Sequence, residues 1–142
     1  QNFATVQMRF AHKAADIKEY QRTLDLKRAV ATVSYIEQGV RYQRDYFVSY
    51  PDQVIVTRLH ADQKAKINVE LSLITAENRS KVLSLQDNRI SLSGTLKDNG
   101  LQYATALQVR HSNGSLRQTA NSLVITAADE VWFVVLRSML RV

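Results

Sequence analysis

From Ile67 to Leu73 every second residue is a large aliphatic. Ile67, Val69, Leu71 and Leu73 alternate with Asn68, Glu70 and Ser72. Successive side chains of a strand point to opposite faces, so this segment has one dry face and one wet face. A helix would scatter the same four apolar residues around its whole circumference. The chain must therefore place this segment at the surface of a two-layer β structure.

The same beat recurs along the sequence. Val6, Met8 and Phe10 alternate with Gln7 and Arg9, and Ala31, Val33 and Tyr35 alternate with Thr32 and Ser34. A strand is expected around Tyr20 to Leu26. Val40, Tyr42, Tyr46 and Val48 mark another, and Val54 to Leu59 the next. Lys81–Leu85, Arg89–Leu96, Leu101–Val109 and Leu123–Thr126 read the same way. Val131 to Leu136 is apolar at every position, which predicts a central strand covered on both faces. Ala11–Glu19 holds a helical turn at most.

The connections carry turn chemistry. Glu37-Gln38-Gly39 reads as a hairpin loop, with Gly39 free to take positive φ. In Tyr50-Pro51-Asp52-Gln53, Pro sets φ and Asp can bond its own backbone. Lys97-Asp98-Asn99-Gly100 joins two strands, and Asn113-Gly114 predicts a two-residue hairpin between Val109 and Leu116. Turns at intervals of roughly ten residues are the signature of a sandwich or barrel. The expected fold class is all-β, an antiparallel β-sandwich over residues 1–142. The sequence shows no linker, low-complexity tract or repeat.

Length and composition narrow the function. The chain has 142 residues, enough for one domain with a real core, and 45% are hydrophobic. No apolar run approaches the roughly 20 residues that a bilayer requires, so no membrane partner is expected. Cysteine is absent, which excludes disulfides and thiolate metal sites. The start at Gln1 points to an excised or processed piece, so the missing leader says nothing of a parent. The net charge is +6, but Arg9, Lys18, Arg28, Arg41, Arg58, Lys81, Arg110 and Arg137 are scattered. Backbone recognition of nucleic acid needs them gathered, so no nucleic-acid partner is expected.

No catalytic constellation stands out. Glycoside hydrolysis needs two carboxylates roughly 5–10 Å apart across a sugar site. Asp45 lies mid-strand, where an arginine across the sheet would hold it ionised in a structural role. Asp25 sits near a strand end, where a turn or cap role suits it equally. His12, His60 and His111 lack ligand spacing, so no metal is expected. The four glycines are dispersed and form no phosphate loop, and no serine-nucleophile elbow is present. Tyr35, Tyr42, Tyr46, Phe47, Tyr50, Tyr103, Trp132 and Phe133 could supply a sugar-stacking platform. At least one of Trp132 and Phe133 belongs to the core, and buried tyrosines usually serve packing through a bonded hydroxyl. Asn78-Arg79-Ser80 and Asn113-Gly114-Ser115 fit a glycosylation pattern that occurs too often by chance to carry weight.

One segment is specific enough to resemble a family. It runs through Tyr20, Arg22, Leu24-Asp25-Leu26, Ala29, Val33 and Tyr35, then Gly39-Val40, Tyr42, Arg44, Tyr46-Phe47, Ser49-Tyr50-Pro51-Asp52, Val54 and Arg58-Leu59. This order resembles the N-terminal β-domain of glycoside hydrolase family 95, the α-L-fucosidase family. Weaker similarity covers Gln1 to Phe10 and Ala128-Asp129-Glu130-Val131. Ala4 and Thr5 stand where that family usually has Gly-Asp, Asp45 replaces its usual Glu, and Arg137 to Arg141 departs from its small-residue run.

The resemblance implies a supersandwich-like β-domain, here an incomplete one from a larger multidomain hydrolase, with its first strands upstream of Gln1. The implied partner is an (α/α)6 catalytic barrel. The implied activity is hydrolysis of α-L-fucosyl linkages in fucosylated glycans, with inversion and without cofactor. The acid and the assisted base would lie on the barrel, so no catalytic, cofactor or metal residue carries over. A secreted or periplasmic location is suggested by the family alone. Two other readings stay open: a free-standing carbohydrate-binding module, marked by a row of exposed Tyr or Trp, and a structural or assembly domain. Exposed strand edges invite pairing, which makes a homodimer one expectation.

Overall fold

A computed structural model describes residues 4–11 and 16–140, with side chains as far as 136. The fold is all-β, with two antiparallel sheets packed as a sandwich. The strands are β1 (Thr5–Phe10), β2 (Lys18–Asp25), β3 (Val30–Glu37), β4 (Val40–Ser49), β5 (Val54–Ala61) and β6 (Ile67–Ile74). They continue as β7 (Val82–Gln86), β8 (Arg89–Thr95), β9 (Gln102–Ser112), β10 (Ser115–Gln118), β11 (Ser122–Ala128) and β12 (Glu130–Leu140). The small sheet has the order β1-β6-β11-β10, and the large sheet β2-β3-β4-β5-β12-β9-β8-β7.

The alternation in β6 does what its sequence demands. Ile67, Val69, Leu71 and Leu73 are buried. They meet Leu123, Ile125 and Ala128 of β11, and across the layer Leu59, Ile90, Leu92, Leu107, Val109, Val131 and Phe133. Removing a Leu or Ile side chain of this kind from water contributes about 1.5–3 kcal/mol. This core lies under β5, β12, β9 and β8. The small sheet has only four strands, and among the described residues Leu24 of β2 and Val48 of β4 stay exposed beyond it, whereas Tyr35 and Glu37 of β3 and Val40 of β4 are buried.

The β2–β5 meander follows the expected turns. Gln38 and Gly39 both take positive φ, at 49° and 76°, which suits the twist of a two-residue hairpin. In the next turn the Ser49 hydroxyl donates to Asp52 Oδ2 at 2.5 Å, and the Gln53 N–H donates to the Tyr50 carbonyl at 3.3 Å. The first strand of the meander begins at Lys18, earlier than its sequence suggested.

Two expectations need correction. Asn113 and Gly114 do form a tight turn, with φ of 54° and 70°. Yet β9 and β10 lie in different sheets, so the turn is a crossover and not a hairpin. The dipeptide sets the reversal, and the edge that receives the next strand is decided elsewhere. The β12 strand is indeed interior, hydrogen-bonded to β5 and β9. Its covering is one-sided among the described residues. Val131 and Phe133 face the core, while Trp132 and Val134 are half-buried and Leu136 is 42% exposed on the outer face.

Candidate functional site

The outer face of the large sheet gathers a polar cluster. Register places Asp45, Arg58, Trp132 and Arg110 in one row across β4, β5, β12 and β9. The neighbouring row holds Gln43, His60, Glu130 and Ser112. Asp45 Oδ1 accepts from the Thr32 hydroxyl at 2.8 Å and from Gln43 Nε2 at 2.9 Å. His60 Nε2 lies 3.6 Å from Asp45 Oδ2. The expected arginine partner is absent from this set. Arg58 sits opposite Asp45 but turns instead to Glu130, with its guanidinium over the Trp132 ring at 5.2 Å. Asp45 is thus held by neutral donors, and the buried His60 Nε2 stands nearby without a hydrogen bond to it among the described residues.

A cavity of about 360 Å³ opens beside the β3–β4 hairpin. Ala11, Glu37, Gln38, Val40, Tyr42, Lys66 and Asn68 line it. Glu37 is buried, and the rings of Tyr35 and Tyr42 stack with centroids 5.4 Å apart. Burial, followed by the Glu37 carboxylate, raises the Tyr42 phenol above its ordinary value of 10.0. These groups can hydrogen-bond a small polar molecule. Among the described residues that line the cavity, Glu37 is the only carboxylate.

Among the described residues the inner face beyond the core is exposed. Leu24 and Val48 are 64% and 68% exposed, Ile55 is 50% exposed, and Tyr46 is half-buried between them. Arg44 sits at the border of this face. Its guanidinium lies over the Phe10 ring at 4.3 Å, and its Nη2 donates to the Tyr35 hydroxyl at 3.3 Å.

Most sequence candidates prove structural. Asp25 accepts the Arg28 backbone N–H at 3.0 Å, so it closes a turn. His111 Nδ1 contacts the Asn113 carbonyl at 2.7 Å, and His12 lies outside the described residues. Tyr35, Tyr103 and Phe133 are core residues. The Tyr103 hydroxyl donates to the Ser80 carbonyl at 2.8 Å. Trp132 and Phe47 stand on the outer face with β5 between their strands, so they form no row. Tyr50 is 83% exposed at its turn. Among the described residues no group of three or more His, Cys, Asp or Glu could hold a metal.

Arg44, Glu37 and Asp129 were missed from the sequence. Arg44 had a signal: it interrupts the run Val40, Tyr42, Tyr46, Val48 at a position where the alternation calls for an apolar residue. Asp129 had the Asp129-Glu130 pair of the family resemblance. Its Oδ1 accepts the Ala65 N–H at 2.7 Å and its Oδ2 accepts Asn113 Nδ2 at 2.7 Å.

Residues 1–137 match the family described as glycosyl hydrolase family 65, N-terminal domain. The chain belongs to that family. This family 65 N-terminal domain is 26% identical to "Alpha-L-fucosidase 2" of Arabidopsis thaliana over 147 residues. The match covers 89% of the chain but 17% of the fucosidase. Its fold resembles the solved structure of "Putative kojibiose phosphorylase from human microbiome", with a TM-score of 0.66 and 9% identity. That match covers 97% of the chain and 22% of the phosphorylase. The expected N-terminal glycoside hydrolase β-domain is therefore what the chain is. The fucosidase relative accords with the resemblance seen in the Leu24–Leu59 segment.

The family positions now acquire physical roles. Arg58 of the first segment pairs with Glu130 of the second. Ser49 and Asp52 fasten a turn, and Asp129 fastens the crossovers. These positions of the family 65 N-terminal domain fasten the fold, whereas Leu24, Leu26 and Tyr50 of the same segments are exposed.

Proposed function

We propose that this family 65 N-terminal domain is a non-catalytic part of a longer, α-L-fucosidase-like glycoside hydrolase. It would pack on the catalytic domain of that polypeptide, shape one wall of its cleft, and leave hydrolysis with inversion to the barrel. The observation that carries the reading is the fate of the carboxylates. Asp25, Asp45, Asp52, Asp129 and Glu130 each serve a turn, a network or an ion pair of the fold. The fucosidase relative, of which this chain spans 17%, supports the choice of sugar.

The test is an assay of the purified 142-residue chain beside its longer polypeptide on an aryl α-L-fucoside. The expected result is turnover by the longer polypeptide and none by the chain alone. Turnover by the purified chain overturns the reading. The alternative of a free-standing carbohydrate-binding module is second. Its row of exposed Tyr or Trp is missing from the outer face, where Trp132 lies beneath Arg58.

A further inference from the structure

Asn-Gly occurs twice in the chain, at Asn99-Gly100 and at Asn113-Gly114. An asparagine amide followed by glycine is open to attack by the next backbone nitrogen, because no Cβ shields that nitrogen. The fold treats the two dipeptides differently. At the first, the nucleophile is held: the Gly100 N–H donates to the Leu96 carbonyl at 3.0 Å. The Asn99 Oδ1 accepts the Leu101 N–H at 3.1 Å, which fixes the side chain as well.

At the second, no backbone hydrogen bond holds the Gly114 N–H among the described residues. Asn113 and Gly114 are both exposed, so base from solvent reaches that N–H. His111 Nδ1 lies 2.7 Å from the Asn113 carbonyl oxygen, and a carbonyl only accepts, so the imidazole donates. A donor on that carbonyl withdraws charge from the same peptide unit and eases loss of the Gly114 proton. One contact opposes reaction. Asn113 Nδ2 donates to Asp129 Oδ2 at 2.7 Å, which tethers the leaving nitrogen and leaves the nucleophile untouched.

The labile pair is required by the fold that carries it. A Cβ at Gly114 would lie 2.3 Å from the Thr126 carbonyl oxygen, and φ there is +70°, so the position needs glycine. A carboxylate at position 113 would face that of Asp129, so the joint needs an amide beside it.

We propose that Asn113 is a site of spontaneous deamidation, selected over Asn99, and that its conversion unfastens the crossovers held by Asp129. The Gly114 nitrogen bonds to Asn113 Cγ and the Cγ–Nδ2 bond breaks. The amide nitrogen leaves as ammonia with the Gly114 proton. Water then opens the five-membered imide at either carbonyl, which gives a carboxylate at position 113 on a normal or an isoaspartyl backbone. Nothing is oxidised or reduced. The donor to Asp129 Oδ2 is lost and a second negative charge takes its place. The Ala65 N–H shares the Asp129 carboxylate, so the β5–β6 crossover loosens with it.

Peptide mapping by mass spectrometry, on the chain held at mildly alkaline pH, reads both sites at once. Asn113 should convert about threefold to tenfold faster than Asn99, the rate equivalent of one hydrogen bond. In concentrated urea, where neither turn persists, the two rates should converge. Equal rates in the folded chain overturn the selection, and so does faster conversion of Asn99. A ratio that urea leaves unchanged also overturns it, since local sequence would then set the rates. His111→Ala, with its fold checked by circular dichroism, should bring the Asn113 rate down toward that of Asn99, and an unchanged rate removes the imidazole from the site.

The unfastening has its own readout in hydrogen exchange. Asn113→Asp should speed exchange around Ala65 severalfold at neutral pH. Adding Asp129→Asn restores a donor across the joint and should recover most of the protection. Unchanged exchange in Asn113→Asp, or no recovery in the double variant, overturns the unfastening.

Discussion

The Asp129 carboxylate accepts the Asn113 side-chain amide at 2.7 Å, and this bond ties two sheet crossovers together. Asn113 lies where the chain leaves the large sheet after β9, and Asp129 where it returns after β11. The other carboxylate oxygen accepts the Ala65 N–H, on the crossover from β5 to β6. The Asp129 N–H itself donates to the Ser112 carbonyl at 3.0 Å. One residue thus fastens three passages between layers at one end of the sandwich.

A pH dependence follows. The Asn113 hydrogen bond, then that of Ala65, lowers the Asp129 carboxyl below its ordinary value of 3.8. A carboxyl with a depressed folded value binds fewer protons than the unfolded chain. Its contribution is complete above about 3.8 and is lost as pH falls through the lower folded value. Asp129→Asn should flatten the stability profile on its acid limb, as pH falls below the ordinary carboxyl value of 3.8. Urea melts across that range provide the check. A mutant profile parallel to wild type would remove Asp129 from the explanation.

Gly94 should tolerate no side chain. A Cβ built there would lie 1.9 Å from the Ser80 carbonyl oxygen and 2.7 Å from the Tyr103 hydroxyl. The first is backbone held by the Ser80–Thr95 pairing, so it cannot move aside cheaply. Gly94→Ala should destabilise the domain by about 1–3 kcal/mol, as overpacking does. Tyr103→Phe removes only the hydroxyl that donates to Ser80 and should cost about 1 kcal/mol. Denaturant midpoints would rank the two variants, and a smaller loss for Gly94→Ala would contradict the close approach.

The outer and inner faces should respond differently to truncation. Leu107 is fully buried, so Leu107→Ala should cost about 2–5 kcal/mol. Leu136 is 42% exposed, and Leu136→Ala in the chain alone should stay within about 0.5–1 kcal/mol. Thermal melts decide this. A large loss at Leu136 would mean that the outer face is covered in solution.

Arg58 links β5 to β12 through both charge and stacking. The pair with Glu130 is partly exposed, so breaking it with Glu130→Gln should cost at most about 1 kcal/mol. Arg58→Ala also uncovers Trp132 and should shift tryptophan fluorescence to longer wavelength. Because Trp132 is the chain's single tryptophan, the signal is unambiguous. An unshifted spectrum in Arg58→Ala would place the guanidinium away from the ring.

Much of the fold can be read along the sequence because strand alternation is local. The buried set of β6 is its odd-numbered aliphatics, and the Tyr50–Gln53 turn sits where Pro and Asp demand it. The partner of Asp45 cannot be read this way. Arg58 stands directly across, but it has two claimants, and the Glu130 carboxylate and Trp132 ring on the far side win it. Glu130 is 72 residues from Arg58, so only the insertion of β12 between β5 and β9 brings them together.

By itself the sequence determined most strand positions, the turn sites, the dry face of regularly alternating strands such as β6, and the resemblance to an N-terminal glycoside hydrolase β-domain. Each of these depends on side-chain period or on dihedral limits within a few residues. Tertiary structure decided that Asn113-Gly114 crosses layers, that β12 is covered on one side, and that four strands face eight. Those outcomes depend on which strand edge is free when the next strand arrives, a property of the assembled sheets that no local pattern encodes.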